Sequence, residues 1–486
     1  MDPDLLLLHL GYRQPEPYHI CLTIPFDDIT VHIYKTYGIP FGRFTVFERL
    51  FRLREHNTTI KTEILAGVTT FLTMAYVIVV NPGILEAAGI PRGPSTVATI
   101  VAAMIGSLLM AFYANRPIAI APYMGENAFI AFTVVLTLGA SWQAGITAVF
   151  IGGVLFIVIT AFRLRTWLAN AIPTSLKYSF VVGIGLFLTF IGLQTAGLVI
   201  KPEGTVPLSI GNLRSPSVLL ALFSFLVMCV LFIRKVRGAI IIGILSTTAL
   251  AFIGKGLGVD LPSVSYPDRV FSIPPSLAPI AFQFRFGEVL TVGFLPVLLT
   301  VFLMDFVDTI ATLIGVSARA GFLDEEGNLP QMEKPMMADA VATVVGACCG
   351  TTTTGSYLES AAGIEEGGRT GLTAMTFAVL YGCALFITPL IAVIPPFAYG
   401  PALIIVGILM LDSVRKIDFS DMTELIPAFC TITLMSFTNN LGIGITAGLV
   451  MYPFIKLLSG RAREVTAGAW ALGIISLVFY IFYPYH

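Results

Sequence analysis

Charge is what this sequence has least of. Only 12% of its 486 residues are Asp, Glu, Lys or Arg, about half the roughly 25% of a soluble domain. The net formal charge is −1, so no global field recruits nucleic acid as a partner. Histidine is scarcer still. His9, His19, His32 and His56 precede the first long apolar run, and His486 is the last residue. A proton-carrying group inside that apolar region must therefore be a carboxylate. The six cysteines (Cys21, Cys229, Cys348, Cys349, Cys383 and Cys430) show no metal-ligand spacing and lie mostly inside apolar runs. They read as small core residues, and neither a metal nor a cofactor is expected. The run Leu5 to Leu8 is too short for a signal peptide or a membrane span.

What is present is apolar surface. Hydrophobic residues make up 56% of the chain and mean hydropathy is +0.87. Long apolar runs recur from Thr62 onward, which predicts an all-α polytopic membrane protein in a lipid bilayer. Residues 1–46 differ in character and read as a disordered extension. Residues 47–61 are basic and amphipathic and predict a cytoplasmic surface helix. Spans are expected near 62–82, 95–113, 124–138, 143–162, 175–197, 216–233 and 238–255. After a loop at 257–289 on the extracellular side they resume near 290–316, 336–349, 356–365, 371–394, 399–411, 422–437 and 441–458. The tail, 459–486, holds a further apolar stretch at 467–483 that suits either another crossing or an interfacial helix. With the N-terminus inside, most Lys and Arg fall in inside loops, Arg163, Arg165, Arg234, Lys235 and Arg237 among them, as positive-inside topology requires.

The chain also looks duplicated, 62–256 against 290–458. Ala171-Ile172-Pro173 leads into Val182-Gly183-Ile184-Gly185, and Val393-Ile394-Pro395-Pro396 leads into Val406-Gly407-Ile408. Each precedes the fifth span of its seven. Seven is odd, so the second copy must be inverted, giving about fourteen spans in two inverted repeats. Two spans are interrupted at equivalent places. The third opens with Ala121-Pro122-Tyr123-Met124-Gly125 and the tenth with Gly350-Thr351-Thr352-Thr353-Thr354-Gly355-Ser356. A β-branched polar run is a poor helix former and survives in a bilayer only where protein or a water-filled cavity satisfies its backbone. Paired breaks of this kind point to a binding site between them.

Four carboxylates appear in the expected membrane interior: Glu126 and Glu359 beside the breaks, Asp305 and Asp308 in the eighth span. Each costs roughly 2.5–3.5 kcal/mol at a helix centre on insertion scales. Such acids face a polar cavity, or else cap broken helices and hold helices together. Asp305 and Asp308 share one helical face, with Thr309 and Thr312 close by. No Lys or Arg is in the core to pair with them, so desolvation and mutual repulsion favour a proton on at least one. Glu359, Asp305 and Asp308 are thus the candidates for proton coupling. Acceptors like these suit a substrate with N–H donors. Asn127 both donates and accepts. Phe129 offers a ring for stacking, or is an ordinary packing residue. Gly125 and Gly355 would let backbone approach a ligand, and Thr354 and Ser356 line the tenth-span break.

At these motifs the sequence resembles the AzgA-like purine permeases of the nucleobase–ascorbate transporter superfamily. The resemblance is carried by residues 54–63 (REHNTTIKTE) with 66–76 (AGVTTFLTMAY), by Phe306-Val307-Asp308-Thr309, by 351–363 and by Gly367-Gly368-Arg369-Thr370-Gly371-Leu372. It implies proton-driven uptake of hypoxanthine, guanine or adenine across the plasma membrane. It also implies a core domain holding substrate, a gate domain forming a homodimer, and roles for Asn127, Asp305, Asp308 and Glu359 in binding or coupling. The family commonly reads Gly-Met-Gly-Leu-Asn where this chain has Tyr123-Met124-Gly125-Glu126-Asn127, which opens substrate choice and proton stoichiometry. The rival readings are a carrier of another heterocycle, a passive nucleobase channel, an anion permease, which the acids disfavour, and an intramembrane enzyme, for which no His or Ser–Lys partner is visible.

Overall fold

The computed structural model describes residues 19–23, 30–34, 46–162, 171–202, 208–324, 329–438 and 440–482. Arg163, Arg165 and most of 1–46 lie outside them. The chain divides into two compact units, 1–61 and 62–486.

The first unit departs from the sequence reading twice. Within the stretch expected to be disordered, His19–Thr23 and Thr30–Tyr34 pair as antiparallel strands, His19 opposite Tyr34. The helix expected over 47–61 is confined to Val46–Phe51. Arg52 and Asn57 take φ of +53° and +50°, left-handed conformations that a continuing helix cannot hold.

The second unit is helical. Among the described residues ten helices are long and apolar enough to cross a membrane, from Ile60–Ala87 to Leu441–Leu458, and Met124–Thr137, Met422–Phe437 and Ala467–Leu477 are shorter apolar helices. Local chemistry sets their ends. Pro216 and Pro396 open helices at the first turn, where the missing N–H costs nothing. Gly321 and Gly350 close Leu295–Ala320 and Glu333–Cys349 in the left-handed region, as a C-terminal glycine does. Leu226, Val230 and Ile233 of Pro216–Ile233 stand exposed, an outward face that suits acyl chains.

The helices that follow the two Ile-Pro motifs, Thr174–Thr195 and Pro396–Leu411, pack antiparallel. A Cβ at Gly185 would lie 3.1 Å from the Gly407 carbonyl oxygen, and one at Gly192 would lie 2.8 Å from that of Gly400. Glycines are needed there because backbone meets backbone. The loop expected at 257–289 is not free: the Phe282 N–H donates to the Cys348 carbonyl at 2.9 Å, and Glu288 accepts from the Ser141 N–H and hydroxyl at 3.0 and 2.7 Å. The tail helix Ala467–Phe482 runs antiparallel along Leu441–Leu458. Gly473 lies against Leu449, and the Tyr480 hydroxyl donates to the Ile443 carbonyl at 2.9 Å. At the other end of this helix pair, buried Lys456 binds Glu424 at 2.8 Å and Glu464 at 2.9 Å.

Glu63 ties two helices together. It is buried in the first apolar helix. Its carboxylate accepts from the N–H groups of Arg369 (2.9 Å), Thr370 (3.3 Å) and Thr373 (3.2 Å) and from the Thr373 hydroxyl (2.6 Å). It therefore caps Gly371–Ala384 from another helix, with the sign the helix dipole favours. Glu63→Ala takes away the acceptor of the Arg369 and Thr370 N–H groups and leaves Thr373 only its weaker bonds to the Thr370 and Glu63 carbonyls. The expected loss is about 3–5 kcal/mol, read as a lowered unfolding temperature in detergent, with Glu63→Gln losing less.

Candidate functional site

The two interrupted segments meet. Ile120–Pro122 and Thr354–Ser356 form an antiparallel pair, Ile120 opposite Ser356, Ala121 opposite Gly355 and Pro122 opposite Thr354. The pairing continues on either side, Tyr123 N–H to the Thr353 carbonyl at 2.9 Å and Tyr357 N–H to that of Ala119 at 3.1 Å. The expected all-α fold thus carries a small sheet at its centre. The reason is physical. Pro122 and the β-branched threonines resist helix formation, and two extended segments satisfy each other's backbone where water is absent. Each strand feeds a short helix, Met124–Ala128, which continues through Phe129–Thr137, and Ser360–Glu365.

Tyr123 and Tyr357, just beyond the paired strands, stack with centroids 5.7 Å apart. The acids gather round them. Asp339, Asp308 and Asp305 act on Tyr123, and Glu359, Glu126 and Asp308 act on Tyr357. All four carboxylates picked out in the sequence therefore come to one place. Glu126 and Asp305 are buried, while Asp308 and Glu359 keep partial exposure. Glu359 precedes the Ser360–Glu365 helix and accepts from the buried Tyr76 hydroxyl at 2.7 Å. Tyr76 sits at the interruption between Ile60–Met74 and Val77–Ala87. Asp305 accepts from the Thr343 hydroxyl at 3.3 Å through one oxygen. Its other oxygen, both oxygens of Glu126 and the Asn127 carbonyl oxygen have no hydrogen-bond partner among the described residues. Asp308 stands within hydrogen-bond reach of Glu126, and Thr309 within reach of Asp305.

Other expected site residues are engaged by the protein. The Asn127 amide donates to Asn81, which donates to the Thr99 hydroxyl at 2.6 Å and to the Thr351 hydroxyl at 3.2 Å. Thr354 gives its hydroxyl to the Thr352 carbonyl at 2.9 Å, and Ser356 gives its own to Asp339 at 2.9 Å. Gly125 and Gly355, expected to bring backbone up to a ligand, meet protein on the side where a Cβ would stand. Such an atom would lie 2.6 Å from Ile184 and 2.5 Å from the Tyr123 ring. Phe129 is 1% exposed, so its ring is closed off in this conformation. One turn further on, Phe132 borders a cavity of about 270 Å³ that Gly83, Gln194 and Tyr399 also line.

The sequence reading missed three polar side chains, Asp339, Tyr76 and Asn81, all fully buried. Asp339 anchors the second strand, accepting from the Ser356 N–H at 3.0 Å as well as from its hydroxyl. It lies inside the apolar run 335–349, so the criterion that picked out Asp305 applies to it equally. Glu63 and Asp339 join Glu126 and Asp305 as fully buried acids, while Asp308 and Glu359 are only partly covered. Among the described residues no group of His, Cys, Asp and Glu is arranged to hold a metal ion.

Comparison with known proteins agrees with this architecture. The solved transmembrane domain of a cyanobacterial bicarbonate transporter, BicA, matches with a TM-score of 0.58 at 19% identity, covering 80% of this chain and 97% of that one, a likeness of fold. In sequence, the adenine permease AdeP of Escherichia coli is 38% identical over 91% of this chain and 97% of its own length. The guanine/hypoxanthine permease PbuO of Bacillus subtilis is 43% identical over 86% and 96%. The Xan_ur_permease model, described as the Permease family, matches residues 61–450. With that span matched and such relatives nearly end to end, the chain belongs to this permease family, within the nucleobase–ascorbate superfamily its motifs resemble, and is a membrane transporter rather than an enzyme.

Proposed function

We propose that the chain imports purine nucleobases by proton symport. The observation that carries this reading is the gathering of Glu126, Asp305, Asp308 and Glu359 around the paired breaks, with acceptor oxygens that meet no donor among the described residues and no base among the charges that act on them. Purines carry N–H donors at the edge of a flat ring, and buried acceptors without partners select ligands that supply those donors. Relatives named for adenine and for guanine and hypoxanthine support the class. A carboxyl that must hold a proton for substrate to stay bound, and that gives the proton up as substrate leaves, carries the two across together.

The chain is read as about fourteen crossings in two inverted sevens. The paired strands belong to a substrate-holding core, and Thr174–Thr195 and Pro396–Leu411 to a gate that forms a homodimer in the plasma membrane, with the N-terminus cytoplasmic. The cavity beside Phe132 lies where helices of core and gate would part. Labelled hypoxanthine, guanine and adenine offered to purine-transport-deficient cells test the substrate class. Saturable uptake of at least one, competed by the other purines and not by pyrimidines, is the expected result. Uptake of pyrimidines alone, with the protein in the membrane, would overturn it.

A further inference from the structure

Glu126 has a position that substrate binding alone does not explain. It is fully buried, and neither carboxylate oxygen meets a donor among the described residues; the group within hydrogen-bond reach of it is the Asp308 carboxyl. An ionised carboxylate so placed is heavily penalised. The charges acting on it are of its own sign: Asp308 first, then Asp305, both from Leu295–Ala320. Val77–Ala87 and Thr174–Thr195, which also pack on its helix, bring Asn81 and Ile184 to this region and no charge that acts on it. The Tyr357 hydroxyl is nearby but donates to the Pro122 carbonyl. While the pair is closed off from water, burial and like charge favour one proton shared between the two carboxyls.

We propose that Glu126 and Asp308 form a second proton site, separate from Glu359, so that one further proton crosses with each purine. The inference rests on the proton-symport reading above. Asp308 is the door to the pair, since it keeps partial exposure while Glu126 has none. A proton arrives at Asp308, is shared with Glu126, and leaves through Asp308 when the site opens to the other side. The pair then returns to two carboxylates facing water, and charge balances with one proton moved. Glu359 has its own partner in the Tyr76 hydroxyl, and neither Glu126 nor Asp308 is among the groups that act on it.

The test uses the purified full chain in proteoliposomes, with labelled purine inside and out and a trapped pH indicator. The proton-to-purine ratio is taken from the membrane voltage at which net purine flux vanishes. Glu126→Gln keeps the shape and removes the titration; Glu126→Leu fills the site with apolar volume. Both are expected to lower the ratio by one proton per purine. An unchanged ratio in both, with flux still proton-coupled, overturns the second site and leaves the symport reading standing. Purine flux without proton movement in the unsubstituted chain overturns both, as does coupling to sodium instead. Should neither variant transport, infrared spectra decide. A purine-sensitive protonated-carboxyl band that Glu126→Gln removes supports the site, and a band that persists overturns it.

Discussion

Purine uptake by the Glu359→Gln variant falls about 100-fold or more while the protein still reaches the membrane. The substitution is nearly isosteric, and the Gln carbonyl still accepts from the Tyr76 hydroxyl that reaches Glu359 at 2.7 Å. The scaffold therefore survives, and what goes is the ability to be charged in one state and neutral in the other. Losing a charge-assisted contact in a largely enclosed site costs about 3 kcal/mol, and each 1.4 kcal/mol is roughly tenfold. Tyr76→Phe separates the two effects. It removes the hydroxyl and leaves the carboxyl, so transport is weakened but remains proton-coupled. Initial uptake rates normalised to surface protein check both. Full activity in Glu359→Gln would remove Glu359 from the site.

The second large effect is on stability. Asp339→Ala leaves the buried N–H and hydroxyl of Ser356 without their acceptor, at 3.0 and 2.9 Å in the structure. Each stranded donor costs about 1–3 kcal/mol, and both belong to the strand that pairs with Ile120–Pro122. A loss of roughly 2–6 kcal/mol is expected, with lowered thermal stability in detergent and little protein at the surface. Asp339→Asn keeps one acceptor oxygen, so it recovers part of the stability. Its surviving molecules carry purine with weakened affinity, because the strand is held less firmly. Equal stability of Asp339→Ala and the unsubstituted chain would show that the strand pair stands without this anchor.

Much of this was legible in the residues. Pro122 and the threonine run announce breaks because neither sustains a helix, and the breaks fall where the strands form. Glu126, Asp305, Asp308 and Glu359 stand out because acids are costly in apolar runs, and they do gather in one place. Asp339 was equally visible but lacked a neighbouring break to draw notice. The long-range partners were not legible. Nothing local in Tyr76, Asn81 or Glu63 says which distant atom each will meet, since those bonds span 283, 270 and 306 residues. The strand pairing was hidden for the same reason, as three residues carry too short a pattern to read. Gly125 and Gly355 misled because a missing Cβ serves protein packing as readily as ligand approach. Residues 47–61 misled because amphipathic spacing does not report the left-handed turns at Arg52 and Asn57.

The most direct measurement is accumulation of labelled hypoxanthine, guanine and adenine in purine-transport-deficient cells, with and without a protonophore. A proton–purine symporter predicts saturable accumulation above the external concentration that collapses when the proton gradient is discharged. Purine that enters only to the external level, unaffected by the protonophore, would contradict it and make the chain a passive channel.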